Sequence, residues 1–155
     1  GAVVAVRGGE AVDPAWMPGA RPVTFEGPHG PVHAFDYAPA NPDETADTDE
    51  RPPYLVLVHG GPTAHVAGAA SAAIAFYTSR GIGVLDVNYG GSSGYGRAYR
   101  ERLQGAWGIV AVDDVLAARV GMSARSWARR SPPGTVVNVP DPRRASAYPD
   151  SRSTS

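Results

Sequence analysis

The clearest pattern in the chain is two short, mainly apolar runs separated by a stretch with helical spacing. The runs are Tyr54–Val58 and Ile82–Asn88, and such runs are typical of strands covered on both faces. Gly81 lies where the C-terminal cap of an intervening helix belongs. The apolar residues at helical spacing before it are Val66, Ala70, Ala73, Ile74 and Tyr77. Strand, helix and strand with short connections predict a βαβ unit with parallel strands and a right-handed crossover.

The segments on either side extend this α/β pattern. Val23–Phe25 and Val32–Tyr37 flank the turn Gly27–Gly30, which predicts a β-hairpin. After the loop Tyr89–Gly96, two stripes with helical spacing predict two helices. The first stripe is Tyr95, Tyr99 and Leu103, and the second is Ile109, Val112, Val115 and Leu116 before Arg119. The predicted fold class is therefore α/β, a hairpin followed by a βαβ unit and helices.

The chain has 155 residues, which is room for one ordinary domain. Residues 1–20 alternate weakly and end in Pro14, Pro18 and Gly19, and we interpret them as a linker or the remnant of a preceding domain. Residues 21–120 carry the α/β pattern and form the predicted domain. Residues 121–155 show no apolar period, and because their few apolar side chains cannot offset the cost of ordering a backbone, we expect a disordered tail.

Composition excludes several classes of protein. The chain has no cysteine, so disulfides, thiolate metal sites and cysteine nucleophiles are excluded. The formal net charge is −1, which favours neither nucleic acid nor a membrane surface as a partner. Residues 120–155 hold six arginines and two aspartates, but no aromatic residues are interleaved among them at regular spacing, as in nucleic-acid-binding segments. With no bilayer-length apolar run and no signal-peptide pattern, we expect a cytoplasmic protein.

The first segment that could carry chemistry is His59-Gly60-Gly61-Pro62, at the predicted carboxyl end of a buried strand. Glycines allow a sharp turn that aims backbone N–H groups inward. Two such donors facing a developing oxyanion are a common device in acyl transfer. Gly60 and Gly61 are therefore candidate oxyanion-side residues. The alternative is a glycine-rich turn that only leaves the strand.

A second segment, Gly90-Gly91-Ser92-Ser93-Gly94, matches the G-x-S-x-G nucleophile pattern literally. In folds that use this pattern, the catalytic histidine follows the serine in the chain. All four histidines here precede Ser92, namely His29, His33, His59 and His65. We therefore expect Ser92 to belong to a flexible turn and not to be a nucleophile.

The remaining polar residues predict neither a metal site nor a cofactor. His29 and His33 are four residues apart, but the prolines and glycine around them forbid the helix that would align them. Asp113 and Asp114 are adjacent on a predicted helix and face different directions. We expect them to lie on a solvated face or to make a helix contact, and not to act as an acid–base pair.

The middle of the chain resembles the catalytic domain of the prolyl oligopeptidase family of serine peptidases, of the acylaminoacyl-peptidase and dipeptidyl-aminopeptidase type. The resemblance rests on His59–Thr63 followed at helix distance by Asp86–Gly96, and continues through Tyr99–Leu103 and Trp107–Asp114. It covers about residues 23–118. It implies an α/β-hydrolase fold, a serine peptidase activity and peptide substrates, with release of short peptides or acylated amino acids.

The same resemblance implies a partial domain. The family's G-x-S-x-G-G elbow and the aspartate and histidine beyond it have no counterpart in the chain, so none of the catalytic triad is present. Only Gly60 and Gly61 can be matched to a functional element of the family. Residues 1–20 would be the last remnant of an upstream β-propeller, and a change of reading frame near Val120 is a hypothesis for the tail. We expect a truncated serine peptidase that is inactive by itself; the alternative is a non-catalytic α/β fragment or interaction module.

Overall fold

The computed structural model of the chain describes residues 12–45, 51–61 and 63–128, with side chains up to residue 123. A short 3₁₀ turn, Pro14–Trp16, comes first. The strands are β1 (Arg21–Gly27), β2 (Gly30–Tyr37), β3 (Tyr54–Val58) and β4 (Gly83–Asn88). The helices are α1 (Ala72–Thr78), α2 (Arg97–Glu101) and α3 (Ile109–Ala128).

The four strands form one mixed sheet in the order β1-β2-β4-β3. The predicted hairpin is β1 and β2, which pair antiparallel around a two-residue turn, with Phe25 opposite Val32. The predicted βαβ unit is β3, α1 and β4, and its strands are parallel with Val56 opposite Leu85. The hairpin joins this unit through β2 and β4, which pair antiparallel.

Helices cover both faces of the sheet, and each face has its own core. Alternate residues of a strand point to opposite faces, so Leu85 and Val87 pack toward α3 while Val84 packs toward α1. The α3 face is the larger cluster, and it includes Val23, Phe25, Val32, Ala34, Val110, Ala118 and Met122. The α1 face includes Tyr37, Ile74, Phe35, Leu55 and Leu57. The α/β class predicted from the apolar runs is thus what the structure has.

The first two helices are shorter than their apolar stripes predict. Helix α1 begins only at Ala72, because the side chain of Ser71 caps its N-terminus by accepting from Ile74 N. Gly68, within the stretch predicted to be helical, has a φ of 71° and lies against the Phe35 ring. Tyr95, the first residue of the next stripe, precedes α2.

Most of the apolar stripe that predicted α3 does not face the core; of its four residues, only Val115 packs against it. Ile109, Val112 and Leu116 are 61%, 56% and 43% exposed. The residues that face the sheet are Val110, Asp114, Ala117, Ala118 and Met122. Small side chains on this face let the helix approach closely; at Gly121 an added Cβ would lie 2.3 Å from Phe25 Cδ1.

Helix α3 continues to Ala128, past the end of the predicted domain at residue 120. Met122 is buried four residues after Ala118, which is the spacing of one helical face. The rest of the predicted disordered tail, residues 129–155, lies outside the described residues, as do residues 1–11 of the predicted linker.

Candidate active-site loops

The loops after β3 and β4 lie side by side at one edge of the sheet. The two strands are parallel neighbours, so their carboxyl ends emerge together, which is where open α/β sheets bind ligands. His59–Gly61 follows β3 and Tyr89–Ser92 follows β4. Here they are called the HGG loop and the YGGS loop. The predicted oxyanion-side glycines and the literal G-x-S-x-G serine therefore belong to one site.

The HGG loop presents its backbone outward. Gly60 and Gly61 are both exposed, and a Cβ at either position would meet nothing within 4 Å. The φ of Gly61 is 72°, a conformation that side-chain-bearing residues rarely adopt. Among the described residues, no acceptor lies within hydrogen-bond reach of either glycine N–H. The N–H groups of Gly60 and Gly61 therefore have no acceptor among the described residues at this end of the sheet.

The YGGS loop, in contrast, is buried and internally bonded. Ser92 is fully buried, and its N–H and its hydroxyl donate to Tyr89 O at 3.0 and 2.7 Å. Gly91 N donates to Tyr99 O at 2.9 Å, with a φ of 113° at Gly91. Burial raises the pKa of the Tyr89 phenol, so its hydroxyl stays protonated near neutral pH and can donate. The YGGS loop is therefore buried and held by its own hydrogen bonds, next to the exposed HGG loop.

Four contacts join the two loops. The Tyr89 hydroxyl donates to Gly61 O at 2.8 Å and lies 3.4 Å from His59 O. The His59 and Tyr89 rings are stacked, with centroids 4.6 Å apart. His59 Nε2 lies 2.6 Å from Ser92 Oγ. Tyr89 and Ser92 therefore both hold the HGG loop.

The contact between His59 and Ser92 could not be predicted from the order of residues along the chain, because His59 precedes the serine and the G-x-S-x-G pattern places the histidine after it. The serine hydroxyl has one hydrogen, which it donates to Tyr89 O. Its bond to His59 is made at the same time only if Nε2 carries a hydrogen and donates. In that arrangement the imidazole is a donor to the serine and does not accept its proton. The contact therefore ties the two loops together.

Asp114 anchors the YGGS loop from α3. Its Oδ2 accepts from Gly90 N at 2.7 Å, and the residue is fully buried. Its Oδ1 has no hydrogen-bond partner in the described part of the chain. Burial raises the pKa of Asp114, while the bond from Gly90 opposes that shift. Asp114 was expected to lie on a solvated face or to make a helix contact. In the structure it makes a contact, as the hydrogen-bond acceptor for the backbone of the YGGS loop.

Asn88, Tyr95 and Tyr99 form a hydrogen-bonded set at the end of β4. The sequence patterns did not predict this set. Asn88 is fully buried, and its amide bonds both the N–H and the C=O of Val66, at 2.9 and 3.1 Å. It also donates to the Tyr95 hydroxyl. The Tyr99 hydroxyl donates to Asn88 O at 2.6 Å, and burial raises the pKa of Tyr99 to about 12. The feature of the sequence that could have predicted this set is the run of polar residues at the end of a buried strand.

The other histidines lie apart. His29 Nε2 pairs with Asp113 Oδ2 at 2.8 Å, linking the hairpin turn to α3. His33 stacks on Tyr95 and bonds to Thr24, and His65 bonds to Ser93 on the outer side of the YGGS loop. Within the described residues, no three histidine, aspartate or glutamate side chains converge as metal ligands would.

The fold and the site define part of an α/β-hydrolase domain, and comparison with known proteins supports this class. The puromycin-hydrolyzing peptidase of Mycobacterium tuberculosis superposes with a TM-score of 0.70 at 50% identity, over 74% of this chain and 18% of that chain. The acylamino-acid-releasing enzyme 1 of Oryza sativa subsp. japonica is 41% identical over 66 residues. The dipeptidyl aminopeptidase BIII of Pseudoxanthomonas mexicana is 36% identical over 81 residues.

Residues 69–132 match the prolyl oligopeptidase family. This match to a family of serine peptidases confirms the resemblance predicted from the sequence around the HGG and YGGS loops. The match runs past residue 120, in agreement with the extended α3. The two curated relatives align over 43% and 52% of this chain but only 8% and 12% of their own lengths. In the described residues, no helix is long and apolar enough to cross a membrane.

Proposed function

We propose that this chain supplies the amino-terminal part of a serine peptidase catalytic domain, with the HGG loop as its oxyanion side. The observation that carries the proposal is the pair of free N–H groups at Gly60 and Gly61, beside the carboxyl ends of β3 and β4. In acyl transfer, backbone donors of this kind stabilise the negative charge that develops on the substrate carbonyl oxygen.

The substrate class follows from the relatives. By their names they release acylated amino acids or dipeptides, or hydrolyse puromycin. These reactions cleave an amide next to an amino-acid residue, so we propose short peptides and aminoacyl amides as substrates. The attacking serine, its histidine and the aspartate that orients the histidine would come from a further segment of the domain. We expect this chain to be inactive without that segment.

A graft tests the proposal. Residues 12–128 of this chain replace the matched segment of the M. tuberculosis puromycin-hydrolyzing peptidase, whose own nucleophile and histidine remain. We expect the graft to hydrolyse puromycin within about tenfold of the parent enzyme, because the two segments are 50% identical and superpose with a TM-score of 0.70. A folded graft with no turnover, checked by circular dichroism, would favour the alternative of a non-catalytic α/β module.

A further inference from the structure

The geometry points to Tyr89 as the positioning residue that aims the N–H groups of the HGG loop outward. This inference rests on the proposed function, because it explains how the candidate oxyanion donors are held. Tyr89 reaches the loop from beneath and would not touch a substrate. It is 8% exposed and belongs to the core cluster of the α3 face.

The planarity of the peptide bond relates each carbonyl of the HGG loop to the N–H group that follows it. The described peptide bonds are trans, so each carbonyl and the following N–H point in opposite directions. His59 O lies 3.4 Å from the Tyr89 hydroxyl. The N–H of Gly60 therefore points away from Tyr89, toward the outer side of the loop.

Tyr89 also holds the far end of the loop, at the carbonyl of the Gly61–Pro62 peptide, which has no N–H of its own. The Tyr89 hydroxyl donates to Gly61 O at 2.8 Å, the shorter of its two contacts. Gly60 O lies 3.4 Å from His59 Nδ1, so the N–H of Gly61 points away from the His59 ring. His59 is itself held by its stack on Tyr89 and by Ser92. One phenol thus constrains both ends of the loop.

The need for such a constraint follows from the loop's own residues. Gly60 and Gly61 have no side chains to pack, and the space around them is open. Glycine gains more conformational freedom than any other residue when it is released. Without the hydroxyl, the ring of residue 89 could still fill its place in the core, but nothing would hold Gly61 O.

The test compares two tyrosine variants by ¹⁵N relaxation on the 155-residue chain. Tyr89→Phe keeps the ring and removes the donor. We expect the order parameters of Gly60 and Gly61 to fall from about 0.85 to below about 0.6. The matched control is Tyr95→Phe, which removes a hydroxyl bonded to Asn88 and not to the HGG loop. It should leave both glycines unchanged; an equal effect of the two variants, or no effect of Tyr89→Phe, would overturn the inference.

A second measurement needs no variant and covers the case in which Tyr89→Phe does not fold. In equal parts H₂O and D₂O, a tyrosine hydroxyl that exchanges slowly gives two Cζ signals, one for each isotope. We expect two signals for Tyr89, because its buried hydroxyl donates to Gly61 O. A single averaged signal would contradict the bond.

Turnover in the graft separates this inference from the proposed function. We expect Tyr89→Phe to lower kcat by about tenfold and to leave KM within about twofold, because the donors act on the transition state and not on ground-state binding. If the relaxation result holds and kcat does not change, the HGG loop is positioned by Tyr89 but is not the oxyanion side. If the glycines stay rigid while the graft is active, the role of Tyr89 fails and the proposed function stands.

Discussion

At the scale of single residues, Ser92 shows how the surroundings of a side chain decide its chemistry. A serine hydroxyl is a weak nucleophile unless a base takes its proton. Here the hydroxyl is fully buried, donates to Tyr89 O, and lies 2.6 Å from His59 Nε2. The G-x-S-x-G match at this site therefore comes with a bonding pattern typical of a structural serine.

We expect a fluorophosphonate probe to leave the 155-residue chain unlabelled, because the probe reacts only with an activated serine. Intact-mass measurement after incubation reads the result directly. Ser92→Ala should change nothing in this assay, and should lower the free energy of unfolding by about 1–2 kcal/mol through the lost hydrogen bonds. A probe adduct that disappears in Ser92→Ala would show that Ser92 is a nucleophile after all.

Asp114 leads to a prediction about pH. Its folded pKa is raised, chiefly by burial, although Arg102 and His29 favour the carboxylate. The folded state therefore holds the proton more tightly than the unfolded chain does, and this group stabilises less as pH rises above the ordinary value of 3.8. Asparagine keeps an acceptor for Gly90 N and cannot ionise, so Asp114→Asn should stabilise the chain more at pH 7 than at pH 4.

Urea unfolding of the two proteins at both pH values gives the difference. Asp114→Ala serves as the control, because it removes the acceptor for Gly90 and should cost about 1–3 kcal/mol. A stability difference between parent and Asp114→Asn that is the same at pH 4 and pH 7 would mean that Asp114 does not titrate with folding.

At the scale of elements, Gly121 tests the correction to the end of α3. In an exposed helix, alanine is about 1 kcal/mol more favourable than glycine. Here the added Cβ would press on the Phe25 ring, so we expect Gly121→Ala to destabilise the chain by about 1–3 kcal/mol. Thermal unfolding measures the effect, and Phe25→Leu in the same chain should recover part of it. A stabilised Gly121→Ala would mean that α3 does not pack there.

The strands could be predicted from the sequence, and the buried face of α3 could not. Tyr54–Val58 and Ile82–Asn88 have few polar interruptions, so their burial follows directly from composition. Along α3, two stripes share the same spacing. The more apolar one, which contains Val112, lies outside; the buried one contains Asp114, whose polarity conceals it. Helix α3 turns Asp114 toward the sheet, where its carboxylate accepts from Gly90 N. Gly90 lies in a different segment of the chain, so the pattern along α3 alone does not predict this contact.

The site could be predicted in the same partial way. Gly60 and Gly61 could be proposed from the sequence because glycines directly after a buried strand allow a turn that aims backbone N–H groups inward. Tyr89 and the His59–Ser92 contact could not, because they depend on β3 and β4 lying side by side. The G-x-S-x-G pattern predicts a histidine after Ser92 in the chain. The parallel pairing of β3 and β4 instead places His59, which precedes Ser92, beside it.

At the scale of the whole molecule, the sheet has an open edge. In the described residues, β3 pairs only with β4, and Val58 is 53% exposed. Trp107 and Ile109 add exposed apolar surface near the start of α3. Unpaired strand edges and apolar patches favour association between chains.

We therefore expect the chain to self-associate as its concentration rises from about 1 to about 100 µM, as measured by sedimentation velocity. A charge on the edge strand should oppose self-association, so Val58→Lys should shift the distribution toward monomer. Thr63 is also exposed but lies beyond the strand, so the control Thr63→Lys should not shift it. A parent chain that stays monomeric throughout would show that the edge is already protected.

The central claim is that the HGG loop holds oxyanion donors, and a pair of glycine variants in the graft tests it most directly. Gly61 and Gly81 have φ values of 72° and 79°, and both face open space, so alanine should cause similar backbone strain at each. Only Gly61 lies in the loop. We predict that Gly61→Ala lowers kcat for puromycin by about tenfold to a hundredfold, while Gly81→Ala leaves it within about twofold. Equal kcat values for the two variants would contradict the claim.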